Sequence, residues 1–413
     1  LNGILGENKF SVNKKAGKNF TLNNKNFFDV IVIGVGSMGS SACYYLSKRG
    51  YKVLGLEQFD ISHELSSHAG QSRIIRKAYF EHSDYVPLLN SAYTNWKKLE
   101  EETGEQIYFR TGLCYFGSPD HPLIKGVKRS ASLYRIEIED LDASLAAKRF
   151  PQFKIPNEFE CLHEPDAGFV TPEKIIKLYA ALANKNGTAI HAREKVLHWE
   201  KEESGIVVKT DKDIYHCNKL IITAGAWTGK MIPGFQNKLK ITRQFVAWVK
   251  LKNACPTEGR ENDFKLGNFP CWMIADDEKP GTYYGFPILP KEKFGEPAGM
   301  KLAHHYPKDE TDPNNVNREI TQDDEENLKY VLNKYFPGTF ESFLTSKICL
   351  YANSPDENFI IDKLPEHEDV VIACGFSGHG FKFVSVVGEI LADLVIDGKT
   401  ELSIEFLSAK RFA

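Results

Sequence analysis

The segment FDVIVIGVGSMGSSACYYLSKRGYKVLGLE, Phe28 to Glu57, limits the possible folds of this chain more than any other. Asp29 to Gly34 is a largely β-branched run, the pattern of a strand buried on both faces of a parallel sheet. Gly34, Gly36 and Gly39 follow as G-x-G-x-x-G. Met38, Ala42, Tyr45, Leu46 and Arg49 then recur at helical spacing, and Gly50 closes the helix. Tyr51 to Leu56 reads as a second strand, with Glu57 at its carboxyl end, 18 residues after Gly39. One glycine permits the tight turn, the next lets the backbone approach a pyrophosphate, and the third lets helix and strand pack closely. The helix start offers free N–H groups to phosphates, and an acid at the position of Glu57 accepts from ribose hydroxyls. A bare glycine turn explains the motif less well than a dinucleotide site, because strand, helix, second strand and acid all fall in place. NAD and FAD both remain open at this point.

Length and charge narrow the rest. A chain of 413 residues has room for two or three domains of about 100–200 residues. Lys plus Arg number 52 and Asp plus Glu 55, a net charge of −3, which gives no electrostatic reason for a nucleic-acid or anionic-membrane partner. The eight cysteines (43, 114, 161, 217, 255, 271, 349 and 374) form no C-x-x-C pair, so neither zinc nor a redox dithiol is supported. Their sparseness fits a reducing compartment. No apolar run reaches the roughly 18 residues that cross a bilayer. The best candidate, Phe383 to Ile396, is broken by Glu389 and Asp393. Residues 1–26, rich in Asn and Lys and without the apolar stretch of a secretory signal, read as an N-terminal extension. A cytoplasmic protein is the expectation.

Further strand signals are spread along the chain. Ile206 to Lys209 and Asp213 to His216 read as short hairpin strands, and Asn218 to Trp227 (NKLIITAGAW) as another strand ending in a turn. Asp369 to Phe376 is again a buried strand, followed by a helix from Val384 to Ile396. Dinucleotide-domain pieces therefore occur near the start, middle and end. Residues 243–303 differ, with aromatic strands (QFVAWVKL, CWMIA, TYYGFPIL) between turns, which suggests an antiparallel sheet. Thr321 to Tyr335 reads as an amphipathic helix whose acids Asp323, Asp324, Glu325 and Glu326 form a solvated start.

Four clusters carry reactive side chains. SSHAGQSRIIRKAY, Ser66 to Tyr79, holds Arg73 and Arg76 after a loop, and a basic helix face is the plainer alternative. Tyr283 to His305 ends in Lys301, His304 and His305, and strand alternation puts Lys301, Ala303 and His305 on one face. A lone strand histidine is more often packed than catalytic. Ile348 to Asp362 carries Cys349 and Tyr351 on one strand face, where a cysteine by itself reads as a small buried hydrophobe. GFSGHGFKF, Gly375 to Phe383, is a glycine-rich turn able to cradle a cofactor, with Lys382 beside it.

Together the clusters RIIRKAY, YYGFP, Cys-x-Tyr with PDE-x-FIID, and GFSGHGFK resemble the monomeric sarcosine oxidase family of flavin amine oxidases, from about Phe28 to the C-terminus. That family includes N-methyltryptophan and pipecolate oxidases. The resemblance implies a Rossmann-type FAD-binding domain interleaved with an antiparallel-sheet substrate domain, mixed α/β and α+β, as in glutathione-reductase-like and p-hydroxybenzoate-hydroxylase-like flavoproteins. It implies a division into residues 27–107, 168–242 and 351–413 for FAD and 108–167 and 243–350 for substrate. For the cofactor it implies Gly34, Gly36, Gly39, Glu57, Ser72, Val196, Gly378 and His379, with FAD tethered through Cys349. Arg76 and Lys382 match the cations that hold the substrate carboxylate. Arg73 matches an arginine near the flavin ring, and Lys301 the lysine that activates oxygen. Tyr284, His305 and Tyr351 match residues around the amine. Ala69 departs from the family, which often has a second histidine after the position of His68, and the segment around it reads partly like the pipecolate branch. The implied activity is oxidation of a secondary amino acid to an imine that water hydrolyses, with O2 reduced to H2O2, by a monomer. A flavin dehydrogenase using another acceptor and a non-catalytic flavin-binding module are the alternatives.

Overall fold

The computed structural model describes residues 26–232, 234–252, 263–306 and 309–412. Residues 1–25 of the expected extension, and Cys255, lie outside the described residues. The β-branched run forms the strand Phe27–Ile33, flanked in parallel by Val53–Leu56 on one side and Ile214–Ile222 on the other. Ile214–Ile222 also pairs in parallel with His367–Cys374. These strands belong to an eight-stranded sheet that extends through Ala189–His191, Val196–Glu202, Gly205–Thr210 and Ile360–Leu364. Helices Ser37–Lys48 and Val384–Ile396 pack against each other beside it, and Gly388 is the point of closest approach, where a Cβ would overlap Ser41. Nearly every residue of Val384–Ile396 is buried, so its apolar character belongs to a core helix. Among the described residues no helix is long and apolar enough to cross a membrane.

Two expectations are corrected here. Asp213 to His216 and Asn218 to Trp227 are not separate strands: Ile214–Ile222 is one strand. Its first half pairs antiparallel with Gly205–Thr210, and most of its length runs parallel to Phe27–Ile33, so Cys217 needs no turn. The acidic helix start is not wholly solvated. The helix Gln322–Tyr335 is capped by Thr321, with Asp324 completing a capping box, and Asp324 is buried because both its oxygens accept from Arg243 at 2.8 Å.

A nine-stranded sheet makes the second layer. It runs from Lys240–Leu251 through Met300–His305, Thr282–Gly285 and Cys271–Ile274 to Leu113–Gly117 and Glu160–Glu164. Phe340–Asn353 pairs antiparallel with Lys240–Leu251 along nearly its whole length. The sheet is antiparallel as expected apart from one parallel join, Cys271–Ile274 with Leu113–Gly117. A small sheet of Arg73–Ile75, Gly168–Val170 and Tyr108–Arg110 stands apart from both. Arg73 therefore starts a strand, which rules out the basic helix face.

Gly39 is sterically fixed, because a Cβ would drive into the Gly34 carbonyl, whereas a Cβ on Gly36 would meet nothing within 4 Å. Gly39→Ala is therefore expected to lower stability by about 1–3 kcal/mol through overpacking. Gly36→Ala should leave the melting temperature of the ligand-free protein nearly unchanged and weaken dinucleotide binding. Thermal unfolding with and without dinucleotide checks both.

Candidate active site

One long cavity runs from the carboxyl ends of the parallel strands to the second sheet. At its first end lie Gly34, Gly36, Glu57 and Val196. Gly34 has a φ of +89°, and its carbonyl accepts from the Thr223 hydroxyl at 2.7 Å, which fixes the turn. The Glu57 carboxylate accepts from the N–H groups of Val35 and Phe59, each at 3.0 Å, and burial still pushes its pKa up to about 7. A buried carboxylate of this kind gains from further donors, and ribose hydroxyls supply them. Gly39 lies behind the turn rather than on the wall, as its packing role requires. Farther along, the Nε2 of His68 is buried on the wall with no partner among the described residues, while its Nδ1 meets the Ser66 hydroxyl at 2.7 Å. Burial pulls His68 down to about 3, so the orphaned nitrogen belongs to a neutral ring. An open glycine beside a helix start, an acid wanting donors and an unpaired nitrogen fit a bound dinucleotide.

The far end of the cavity is formed by Arg73, Leu350, Tyr351 and Gly378. A Cβ on Gly378 would overlap the Tyr351 ring, so glycine lets the C-terminal turn close over that tyrosine. Cys349 precedes these wall residues on the strand Phe340–Asn353; it is buried, with Sγ donating to the Ala69 carbonyl at 3.5 Å. Arg73 donates to the carbonyls of Ser67, Ala69 and Ser72 at 2.7–2.8 Å. Tyr284 and Tyr351 lie close to Arg73 and Cys349. Burial raises both phenols, so both keep their protons at neutral pH.

Lys301 and Ser72 sit behind this wall. The Lys301 ammonium donates to the carbonyls of Gly70 and Ser72 at 2.5 and 2.6 Å, and lies 3.4 Å from the Ser72 hydroxyl. The rings of Phe286 and Trp248 flank it at 4.6 and 5.6 Å. Burial, reinforced by Arg73, drives its pKa well below the usual lysine range.

The other two expected cations form a separate group. Arg76 Nη2 donates to both oxygens of Glu81, at 2.5 and 2.7 Å, and its guanidinium lies over the rings of Tyr79 and Phe80. Burial alone would raise Glu81, yet Arg76 holds it down at about 2. Lys382 donates to the His379 carbonyl at 2.8 Å, and burial, with Arg76 nearby, lowers it to about 7. His379 is not on the cavity wall: its Nε2 meets the Glu357 carbonyl at 3.0 Å and its Nδ1 the Tyr79 hydroxyl at 2.5 Å. A carbonyl only accepts, so Nε2 carries the proton and Tyr79 donates to Nδ1. His305 joins the two groups, with Nδ1 3.1 Å from the Tyr351 hydroxyl and with Glu81, Lys382 and Arg76 as its charged neighbours. Burial keeps it neutral, at about 4.

Among the carboxylates that sequence reasoning missed are Glu81 and Glu164. Glu81, five residues after Arg76, was within reach as a local charge partner. Glu164 had no such signal: it comes from a distant strand, accepts from the Lys77 and Ala78 N–H groups and the Tyr115 hydroxyl, and so pins the turn that carries Arg76.

The sequence pattern of the family described as DAO, FAD dependent oxidoreductase, matches residues 29–394. The monomeric sarcosine oxidase of Bacillus sp. (strain NS-129) is 36% identical over 391 residues, 94% of this chain and 97% of that protein. The N-methyl-L-tryptophan oxidase of Salmonella enteritidis PT4 (strain P125109) is 35% identical over 374 residues, 90% and 95% of the two chains. In fold, the chain is similar to NikD, an unusual amino acid oxidase essential for nikkomycin biosynthesis, with a TM-score of 0.80 and 21% identity over 93% of this chain and 97% of that one. It is also similar to the L-proline dehydrogenase of P. horikoshii, with a TM-score of 0.78 and 23% identity over 94% and 98%.

The Arg76–Glu81 pair is buried on the arginine side. Glu81→Gln leaves a buried guanidinium without its counter-charge and is expected to cost about 3 kcal/mol. Denaturant unfolding at pH 7 measures it.

Proposed function

The chain belongs to the family of FAD-dependent oxidoreductases, and from that membership we propose that it is an oxidase of secondary amino acids, N-methylated or cyclic, which passes the electrons to O2. The observation that carries this reading is the approach of two cations, Arg76 and Lys382, to the neutral group His305, Tyr351 and Tyr284, of which Tyr351 lines the far end of the cavity. A carboxylate and a nearby amine match that pattern of charge. Gly34, Gly36, Glu57 and Val196 would hold the adenosine half of FAD, while Arg73, Tyr351 and Gly378 would face its reactive half. When bound, FAD supplies the acceptor for two electrons from the C–H beside the amine nitrogen, with O2 as their destination; water hydrolyses the imine to release the product.

The chain's own residues orient and tune. Arg offers a planar fork and Lys a point charge, a suitable pair for one carboxylate. Glu81 already occupies Arg76, so an incoming carboxylate shares or displaces it. Fixing the carboxylate sets where the amine-bearing carbon lies, an orientation effect. Around the amine, His305 is neutral, and Tyr284 and Tyr351 keep their protons. Together with the cations, these groups disfavour an ammonium substrate and favour the reactive free amine. Lys301 would stabilise negative charge as it develops on oxygen.

A thioether from Cys349 to FAD is part of the proposal, supported by the position of Cys349 next to the wall residues Leu350 and Tyr351. The division of the chain into FAD and substrate parts is proposed; the two large sheets support it, except that the expected joins at 242/243 and 350/351 fall inside the strands Lys240–Leu251 and Phe340–Asn353, which belong whole to the second sheet. A monomer is proposed as well, since the sarcosine oxidases to which the chain is similar are named monomeric.

Sarcosine, N-methyl-L-tryptophan, pipecolate and proline, added without air, test the function. Bleaching of the flavin by at least one, with one H2O2 per flavin when O2 is admitted, is the expected result. No bleaching by any, or bleaching without peroxide, refutes the oxidase. After acid denaturation the flavin should stay with the polypeptide, and Cys349→Ala should release it.

Lys382 gives a pH prediction. Its ammonium binds a carboxylate, and in the free site its pKa is about 7. A bound anion raises that pKa, so above pH 7 binding must take up a proton. Affinity for acetate as a simple carboxylate ligand should fall by about tenfold per pH unit from pH 7 upward until the bound-state pKa is reached. Lys382→Met should bind weakly at every pH and lose that slope. Flavin absorbance titrations read both.

A further inference from the structure

The proposed chemistry leaves one carboxylate beside the site without a role. Glu173 stands in the first turn of the helix Pro172–Lys185 and is partly buried. Its Oε1 accepts from two successive backbone N–H groups, Gly70 at 2.6 Å and Gln71 at 3.0 Å. These two residues have φ values of +116° and +67°, a left-handed pair that turns both N–H groups to one side. The carbonyls of Gly70 and Ser72 point the other way, onto the Lys301 ammonium. The turn is thus sorted by polarity, with an anion on its donor side and a cation on its acceptor side.

We propose that Glu173 is a positioning residue for Lys301, holding the Gly70–Ser72 turn by its N–H groups and supplying the counter-charge that keeps the lysine an ammonium. The inference rests on the reading of Lys301 as the oxygen-activating cation. Gln71 is not glycine, so its left-handed backbone needs a restraint, and the N–H bonds to Glu173 provide one. Trp248 adds a second by donating from Nε1 to Gln71 Oε1 at 3.0 Å. The charges facing Lys301 are Arg73 from the strand after the turn and Glu173 from the helix, with the thiols of Cys349 and Cys271 from the large sheet. Glu173 in turn faces Arg73 and His68. Burial and Arg73 both press Lys301 to lose its proton, and Glu173 opposes them. Contact by hydrogen bonds through two peptide groups lets a carboxylate act on the ammonium without touching it.

Glu173→Gln keeps the shape and one acceptor oxygen but removes the charge. The test uses the flavin-loaded enzyme with lysine labelled at 13Cε, Lys301 being assigned by the signal lost in Lys301→Met. The expected result is a fall of at least one pH unit in the Lys301 titration midpoint in Glu173→Gln. Reoxidation by O2 should also slow at least tenfold at a pH between the two midpoints, with the amine half-reaction unchanged. Glu173→Asp, which retains the charge, should recover most of the midpoint. An unchanged midpoint in Glu173→Gln overturns the proposal. If that variant does not fold, Glu173→Met decides instead: loss of the charge should lower the midpoint by at least one pH unit, and an unchanged midpoint overturns the proposal. The underlying reading fails separately, if Lys301→Met reoxidises at the normal rate, and the midpoint shift would then still stand as evidence for the positioning role.

Discussion

The site is organised around the removal of four cations from water. Arg73 is partly buried on the cavity wall, and Arg76, Lys301 and Lys382 are 2%, 2% and 6% exposed. An isolated buried ammonium costs several kcal/mol and normally sheds its proton. This chain compensates in two different ways. Arg76 has a carboxylate in direct contact, whereas Arg73 and Lys301 share the carbonyls of one short turn, Ser67 to Ser72. Direct pairing leaves Arg76 charged at any working pH but occupied. Carbonyl pairing leaves Lys301 sensitive to every neighbouring charge. Lys382, with the His379 carbonyl as its only hydrogen-bond acceptor among the described residues, is the one whose charge changes most readily near neutrality.

This arrangement depends on strands that carry reactive groups from one environment to another. Phe340–Asn353 begins at the surface and becomes fully buried over its last residues, where Leu350 and Tyr351 line the cavity and Cys349 precedes them. Its partner Lys240–Leu251 brings Trp248 under the turn that holds Lys301, and Met300–His305 on the other side of that partner supplies Lys301 and His305. Alternation places Lys301 and His305 on the same face of their strand, four residues apart. One answers to the oxygen side of the proposed chemistry and the other to the amine side. A single register therefore sets both, and a slip of one residue would turn both away.

Much of this was legible in the sequence where the causes are local. The strand, glycine turn, helix and Glu57 follow from spacing alone, and Gly39 answers to the Gly34 carbonyl within the same unit, although Gly34 itself is crowded by the distant Thr223. The same local reading split Ile214–Ile222 at Cys217, since the continuity of that strand is set by partners far away in the chain. Asp324 read as solvated because Arg243, which buries it, lies 81 residues earlier. The identities of Arg73, Lys301, Tyr351 and Lys382 as candidates came from motif order. Their partners did not, since Glu164 and Glu173 act on turns about 90 and 100 residues away through backbone N–H groups, which have no sequence signature.

Ala69 illustrates how a departure from family pattern is absorbed. A histidine there would place a second titratable ring among Cys349, Arg73 and His68. The backbone carbonyl of Ala69 accepts from both the Cys349 thiol and Arg73. The cation and the cysteine proposed to carry the flavin are thus tied to one peptide group, with no side chain between them. Adding bulk at position 69 would have to be accommodated where Ala69 is already buried. The polar contacts at this end of the site come from the backbone, and backbone groups hold their orientation whatever the pH. Sensitivity to pH is then left to Lys301 and Lys382, one on each side of the proposed reaction.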